Sequence, residues 1–273
     1  MTDTPALPLT GLTASLVLIR HGQSTWIAEG RFQGQADPPL STLGEAQAAR
    51  LAARLGGPRG TDPVPGAPPQ RLWVSPLGRA RATAANLAAL PGWPPATTLD
   101  GLLEVAQGEW EGLPAGTVAE RWAETLAGWR RDPTVHHAPG GEALLDVDRR
   151  VRAALTAILD DLRPPHTEPG EAAPPLGGSR VVTGERYSPV PGYGAAGVDR
   201  PWAAIVAHDG VLRLSLLALL GLPLGAFWRL PFVLCGLTVV TLDGGAAALR
   251  AHNLAQHLAG AGDGPEKARP GAL

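Results

Sequence analysis

The chain has 273 residues, which suits either one large α/β domain near the upper limit of a single hydrophobic core or two small ones. Its 25 acidic side chains slightly outnumber its 23 basic ones, and Lys267 is the only lysine, so the composition argues against a broad basic surface for nucleic acid or an anionic membrane. Cys235, the sole cysteine, lies in the apolar run LPFVLCGLTVV, which rules out an internal disulfide and reads as core packing.

Residues 1–13 read as an N-terminal extension. They lack a basic leader region and reach only a strand-length apolar run, so no signal peptide is expected. Ser15 to Ile19 has no helical period and predicts a buried parallel strand ending in the polar loop RHGQS. A helix is expected from about Thr42, marked by the T-x-x-E box of Thr42 and Glu45, with Gly56 closing it. Pro and Gly from Gly56 to Gln70 predict a loop. A second strand, Arg71 to Val74, runs into Ser75-Pro76, read as an N-cap and a first-position proline, and a helix to about Leu90 with Arg79 in its first turn.

A weak strand near Thr97 to Leu99 leads to an irregular segment around Glu104 and then Trp-rich helical sequence from about Thr117 to Trp129. Another helix, signalled by Gly140-Gly141-Glu142, is expected to run to about Leu162. Arg163 to Pro201 is crowded with Pro and Gly, contains Tyr187 and Tyr193, and reads as a long mobile insertion. Trp202 to Ala207 predicts another buried strand, ending at His208-Asp209-Gly210 and followed by an apolar helix from Val211 to Leu220. Leu237 to Leu242 and Ala246 to Ala251 predict two strands joined by the turn Asp243-Gly244-Gly245, and residues 261–273 a flexible tail. The longest apolar stretch, Leu214 to Phe227, is short for a membrane span and is broken by Gly221, Pro223 and Gly225. The expectation is a cytoplasmic protein with a single domain over 14–260.

Three strand-to-loop junctions carry unusual polar residues: Arg20-His21, Ser75 with Arg79, and His208. Alternation of strands and helices implies parallel strands, which brings these junctions to one carboxyl edge of the sheet, where open α/β folds bind ligands. Two guanidiniums and two imidazoles there suit a phosphoryl dianion, because arginine's planar fork matches phosphate oxygens and stays charged. With that charge supplied by side chains a metal becomes dispensable, and no HExxH or aspartate cluster suggests one.

The run LIRHGQSTW, followed by RFQGQADPPLSTLGEAQA, SPLGRARATA, LLEVAQGEWEGL, PGGEALLDVDRRV and VAHDGVLR in that order, resembles the histidine phosphatase (phosphoglycerate-mutase-like) superfamily from Leu18 to about Leu242. GEWEGL and PGGE are similar to its broad-specificity or alpha-ribazole phosphatase branch. The resemblance implies an α/β three-layer sandwich, with a mostly parallel sheet, helices on both faces and a small helical cap at about 105–139. It also implies phosphomonoester hydrolysis through a phosphohistidine on His21, without cofactor or metal, on a small-molecule phosphate ester. By the same resemblance Arg20 and Arg79 bind the phosphoryl group, His208 completes the pocket and Glu104 donates the proton. Gln33 and Gly34 match the phosphate loop and Ser24 a small polar contact, and Gly22, Gln23 and Asp209 join the substrate-binding set. Ile27 stands where the family has asparagine, and Asp209 replaces its usual glycine or asparagine.

Alternatives remain at this stage. Glu109 and Glu111 lie close enough to replace Glu104 as the acid. Trp110, Trp122 and Trp129 read as cap packing, with one ring at an apolar leaving-group site as the other choice. His136 and His137 read as solvent-facing, and His166, His252 and His257 receive no role. A phosphoglycerate mutase, with Arg130-Arg131 holding a substrate carboxylate, and a non-catalytic phosphate binder are the rival functions. No nucleic-acid or membrane partner is expected, and self-association stays open.

Overall fold

The computed structural model describes residues 6–58, 63–163 and 200–260. Six strands, β1 (Ala14–Arg20), β2 (Arg71–Val74), β3 (Ala96–Thr98), β4 (Trp202–Ala207), β5 (Leu237–Asp243) and β6 (Ala246–Leu254), form one sheet in the order β3-β2-β4-β1-β5-β6. The first four in that order pair in parallel, and β5 and β6 add an antiparallel edge. Seven helices accompany them among the described residues: α1 (Thr25–Ala28), α2 (Thr42–Gly56), α3 (Gly78–Ala88), α4 (Ala115–Arg121), α5 (Ala123–Arg131), α6 (Leu144–Asp161) and α7 (Asp209–Leu220).

The period of two in the strands divides the core. Leu16 and Leu18 of β1 and Ala203 and Ile205 of β4 face a cluster built from α6, α7 and the α4–α5 cap. Val17, Ile19, Ala204 and Val206 face a second cluster carrying Leu51 and Leu55 of α2 and Ala80, Ala84 and Leu87 of α3. These central strands are buried on both sides, which is why they read as unbroken apolar runs. Leu7, Leu9 and Leu12 of the N-terminal stretch pack on the first cluster, and Arg163 donates to the Thr10 carbonyl at 2.9 Å.

Several local expectations are corrected. The cap of α2 is Ser41, whose side chain accepts from Gly44 N, one residue before the T-x-x-E box. Helix α3 starts at Gly78 with Leu77 as its cap, so Ser75 is not an N-cap and its hydroxyl is used elsewhere. The Trp-rich run is two helices, broken at Trp122 (φ −133, ψ 44). Strand β6 continues to Leu254, which puts His252 inside a strand and not in a loop. The insertion lies outside the described residues apart from its flanks, as do Tyr187, Tyr193, His166 and the tail from residue 261. Among the described residues no helix is long and apolar enough to cross a membrane.

Candidate active site

Register brings the three junctions together. Arg20 pairs with Ala207 and Val74 with Val206, and the backbone pairing continues one step beyond each strand, His21 N to Ala207 O and Ser75 N to Val206 O, both at 3.0 Å. The His21 and His208 rings consequently lie 5.0 Å apart in an edge-on arrangement.

His21 is held at one ring nitrogen. Its Nδ1 lies 2.6 Å from the Gly22 carbonyl, which can only accept, so Nδ1 carries the proton and Nε2 the lone pair. Arg79 Nε donates toward that lone pair at 3.3 Å. Burial, then the Arg79 and Arg20 charges, holds the imidazole well below its usual pKa, so it is neutral at pH 7. The loop can reach this position because Gly22 packs on α2: a Cβ there would stand 2.5 Å from Gly44 O. Gly22 N also donates to Thr83 Oγ1 at 3.1 Å, and the same hydroxyl donates to Arg79 O at 2.9 Å.

The two arginines are anchored differently. Arg20 Nη1 donates to Phe232 O at 2.7 Å, and its buried Nε has no hydrogen-bond partner among the described residues. Arg79 is fully buried and gives Nη1 and Nη2 to Ala36 O and Gly34 O at 2.7 and 2.8 Å. Burial lowers its pKa to about 10, which leaves it charged at neutral pH.

The loop that supplies those carbonyls is itself tied down. Glu111 accepts from Gln35 N and Gln107 N at 2.9 Å and from Ala36 N at 3.0 Å. Gly34 has φ +55, and a Cβ on it would meet Glu111 Oε1 at 2.1 Å. Nearby, Ser24 caps α1 and donates to Gln33, while Gln23 receives the Ser41 hydroxyl and donates its amide to Gln47 Oε1 at 2.9 Å. Ile27, where the family has asparagine, is half-buried and gives its amide to Ser24 Oγ at 3.1 Å.

His208 Nε2 lies 2.7 Å from Ser75 Oγ, the use that hydroxyl finds instead of capping α3. With Ser75 donating, the ring proton sits on Nδ1, which is buried and without a partner among the described residues. Burial, followed by Arg79, His21 and Arg20, keeps His208 neutral too. Asp209, expected beside the anion, gives its oxygens to Arg213 Nη2 at 2.8 Å and Phe232 N at 2.9 Å.

Glu104 is 2 % exposed and accepts from Val105 N at 2.8 Å and Gly210 N at 3.2 Å. Burial raises its pKa, with the Asp209 charge adding to the rise and the two amides and Arg79 opposing it. Gly210 makes room for it: a Cβ there would stand 2.5 Å from Glu104 Oε1. The rival acids differ, since Glu109 is exposed and Glu111 is committed to three amides. Arg150 clamps the Glu104 loop, donating to the Gly101, Leu103 and Glu104 carbonyls at 2.6 to 3.1 Å and pairing with Glu142. These supports were missed in the sequence because they act on backbone groups. PGGE and DRRV were visible as motifs, but not what they hold.

Trp110 and Trp129 are buried, 5.7 Å apart edge to face, with Phe32 on one side and Trp228 on the other, which makes them cap packing. Trp122 is half-buried beneath the Arg121 guanidinium at 4.4 Å. His136 packs against Gly128, and His137 is exposed. Among the described residues no three His, Cys, Asp or Glu side chains cluster as metal ligands.

Comparison with known proteins places the chain in a family. The model of the histidine phosphatase superfamily (branch 1) matches residues 16–166 and 162–255. A glucosyl-3-phosphoglycerate phosphatase of Mycolicibacterium vanbaalenii is 32% identical over 210 residues, 76% of this chain and 75% of that protein. The structure of a mycobacterial glucosyl-3-phosphoglycerate phosphatase complexed with VO3 superposes with a TM-score of 0.64 at 28% identity, covering 88% of this chain and 98% of the other. Phosphoserine phosphatase 1 of Hydrogenobacter thermophilus is 32% identical over 143 residues, 52% of this chain but 63% of its own length, and a bifunctional protein of Mycobacterium tuberculosis is spanned over only 42% of its length. A probable phosphoglycerate mutase of Cronobacter sakazakii is 34% identical over 160 residues, 56% of this chain and 65% of that protein. The chain belongs to the histidine phosphatase superfamily (branch 1).

Proposed function

We propose that the chain is a metal-independent phosphomonoester hydrolase that works through a phosphohistidine on His21, with Glu104 as proton donor. The observation that carries this reading is the His21 ring: neutral, locked at Nδ1 by the Gly22 carbonyl, and presenting its Nε2 lone pair beside Arg79. In the first step Nε2 attacks phosphorus in line, the ester P–O bond breaks, and the departing alkoxide takes the Glu104 proton. Phosphorylation makes the imidazole cationic, and the Nδ1–H bond to Gly22 O stabilises that charge. Arg20 Nε, Arg79 Nε and His208 Nδ1 stabilise the equatorial oxygens, with Gly22, Gln23, Ser24, Gln33 and Gly34 shaping the loop around them. In the second step water attacks phosphorus, its proton passes to the Glu104 carboxylate, the P–N bond breaks, and phosphate leaves with Nε2 restored.

Burial already raises the Glu104 pKa, which favours the acid form the first step needs. A cytoplasmic setting belongs to the same proposal. The mutase reading keeps the same phosphoenzyme but returns the phosphoryl group to substrate in place of water, and the Cronobacter relative supports carrying it as the second reading.

One experiment separates them: purified protein is assayed with chelator on aryl and alkyl phosphates and on 3-phosphoglycerate. Phosphate release that survives chelation, acid-labile label on His21, and a loss of several powers of ten in His21→Ala are the expected results. Substantial turnover by the alanine variant, or a requirement for one divalent ion, refutes the mechanism; isomerisation without phosphate release selects the mutase.

A further inference from the structure

We propose that Arg213 is a positioning residue for the Arg20 guanidinium, acting through Asp209 and the main chain of Phe232. This rests on the phosphate-binding role given to Arg20 above. Arg20 Nη1 donates to Phe232 O at 2.7 Å, and Cys235 N donates back to Arg20 O at 2.9 Å, so one segment, 230–236, receives both ends of this arginine. That segment lies between the 3-10 helix Leu224–Arg229 and β5; its one bridge among the described residues is Leu234 to Arg20, and Asn253 ties the two neighbours of Phe232, donating to Pro231 O at 2.7 Å and accepting from Val233 N at 3.0 Å. Its geometry at Phe232 is therefore set by hydrogen bonds from outside. Phe232 N donates to Asp209 Oδ1 at 2.9 Å, and Asp209 Oδ2 accepts from Arg213 Nη2 at 2.8 Å. Arg213 Nη1 in turn donates to Phe227 O at 3.0 Å, and its guanidinium lies 5.5 Å from the Phe227 ring and 5.2 Å from the Trp228 ring.

Every charged member of this chain is buried: Arg20 is 7% exposed, and Asp209 and Arg213 are each 4% exposed. Asp209 is the first residue of α7 and Arg213 is one turn on, so helical spacing places the two side chains within reach of each other. A buried pair of this kind is weak as a source of net stability, because desolvation offsets the attraction. Its effect is geometric: it fixes the carboxylate that fixes Phe232, and so the carbonyl that takes one face of the Arg20 fork. The Nε of that fork has no hydrogen-bond partner among the described residues, which on the proposed reading leaves it for a phosphoryl oxygen. A displacement of about 1 Å at such a contact is enough to cost up to ~100-fold.

The test reads binding of inorganic phosphate to the full chain by calorimetric titration, with aryl phosphate turnover measured alongside. Arg213→Met is expected to weaken phosphate about tenfold, or ~1.4 kcal/mol. Arg213→Lys, which keeps the charge and one bond to Asp209, restores most of the affinity. Because Arg213→Met leaves a buried carboxylate unpaired and its fold is at risk, Asp209→Asn with Arg213→Met removes both charges and is expected to show the same tenfold loss. With Arg20→Ala as background there is no guanidinium left to position, so adding Arg213→Met changes phosphate affinity by less than about twofold. A folded Arg213→Met variant, alone or with Asp209→Asn, that binds phosphate as the parent does overturns the inference, as does a tenfold loss that persists in the Arg20→Ala background. A parent that binds no phosphate refutes the functional reading and this one with it. A parent that binds phosphate without turning over esters refutes only the proposed hydrolysis.

Discussion

Replacing Glu104 with glutamine tests the acid while leaving the site's shape nearly intact. The carboxylate now accepts two backbone amides, Val105 N at 2.8 Å and Gly210 N at 3.2 Å. Glutamine offers one oxygen, so one buried amide loses its acceptor at a cost of about 1–3 kcal/mol, partly offset by removal of a buried acid. The variant should therefore fold. General acid catalysis is worth roughly 10²–10⁴-fold where the leaving group is a strong base, and little where it is a nitrophenolate. We expect kcat/KM on an alkyl phosphate to fall by about that factor and on nitrophenyl phosphate by about tenfold or less. The parent's pH dependence has a definite sign. Glu104 titrates above its ordinary value of 4.5 because it is buried, so the donor form persists above that pH, and alkyl-ester turnover declines as pH rises through the raised value. Stability follows the same group: the advantage of the protonated acid is fully present below 4.5 and is lost as pH rises through the folded value, a dependence Glu104→Gln lacks. Equal losses on both esters, or a leaving-group-selective loss in Glu109→Gln or Glu111→Gln instead, would refute the assignment.

Gly34→Ala forces a side chain into left-handed backbone at φ +55 and places Cβ 2.1 Å from Glu111 Oε1, so urea unfolding should show a loss of more than about 2 kcal/mol. Turnover should fall with it, because Gly34 O is an anchor of Arg79; a variant as stable and active as the parent would contradict the loop's role. Replacing Thr167 to Val198 with a short Gly/Ser linker should leave kcat/KM within a few-fold of the parent, since the described flank at Arg200 enters β4 at its amino end, opposite His208. A folded deletion that has lost most activity would place the insertion at the site.

What could be read from the sequence was what repeats or alternates. Leu16 and Leu18 against Val17 and Ile19 make a strand buried on both faces, and the alternation of such strands with helices implied the parallel pairing that brings His21, Ser75 and His208 to one edge. What could not be read was set by single hydrogen bonds over long separations. Ser75-Pro76 satisfies every local rule for a helix start, yet the hydroxyl is drawn to His208, 133 positions away, and α3 begins at Gly78. Glu111 looked like a rival acid because its sequence position is as good as that of Glu104. The difference is that three amides converge on Glu111, while Glu104 is desolvated with two. Trp122 breaks the cap into two helices through its backbone angles, which the spacing of Trp122 and Trp129 does not encode.

The charge state of the pocket explains why these contacts have to be so fixed. Both imidazoles are neutral, and Arg79 stays charged although burial lowers its pKa to about 10, so the positive charge resides on the two guanidiniums. A protonated Glu104 leaves the site with the two charges that a phosphoryl dianion neutralises; an ionised Glu104 leaves it one short. Entry of a dianion raises the Glu104 pKa further, so on the proposed reading substrate itself recruits the proton that the leaving group will take. On the same reading, departure of the alcohol removes the need for that proton, and the carboxylate then remaining is the base that water requires. The proposed cycle depends on Arg20 and Arg79 not following the ligand, and the bonds of their nitrogens to the carbonyls of Phe232, Gly34 and Ala36 supply that constraint.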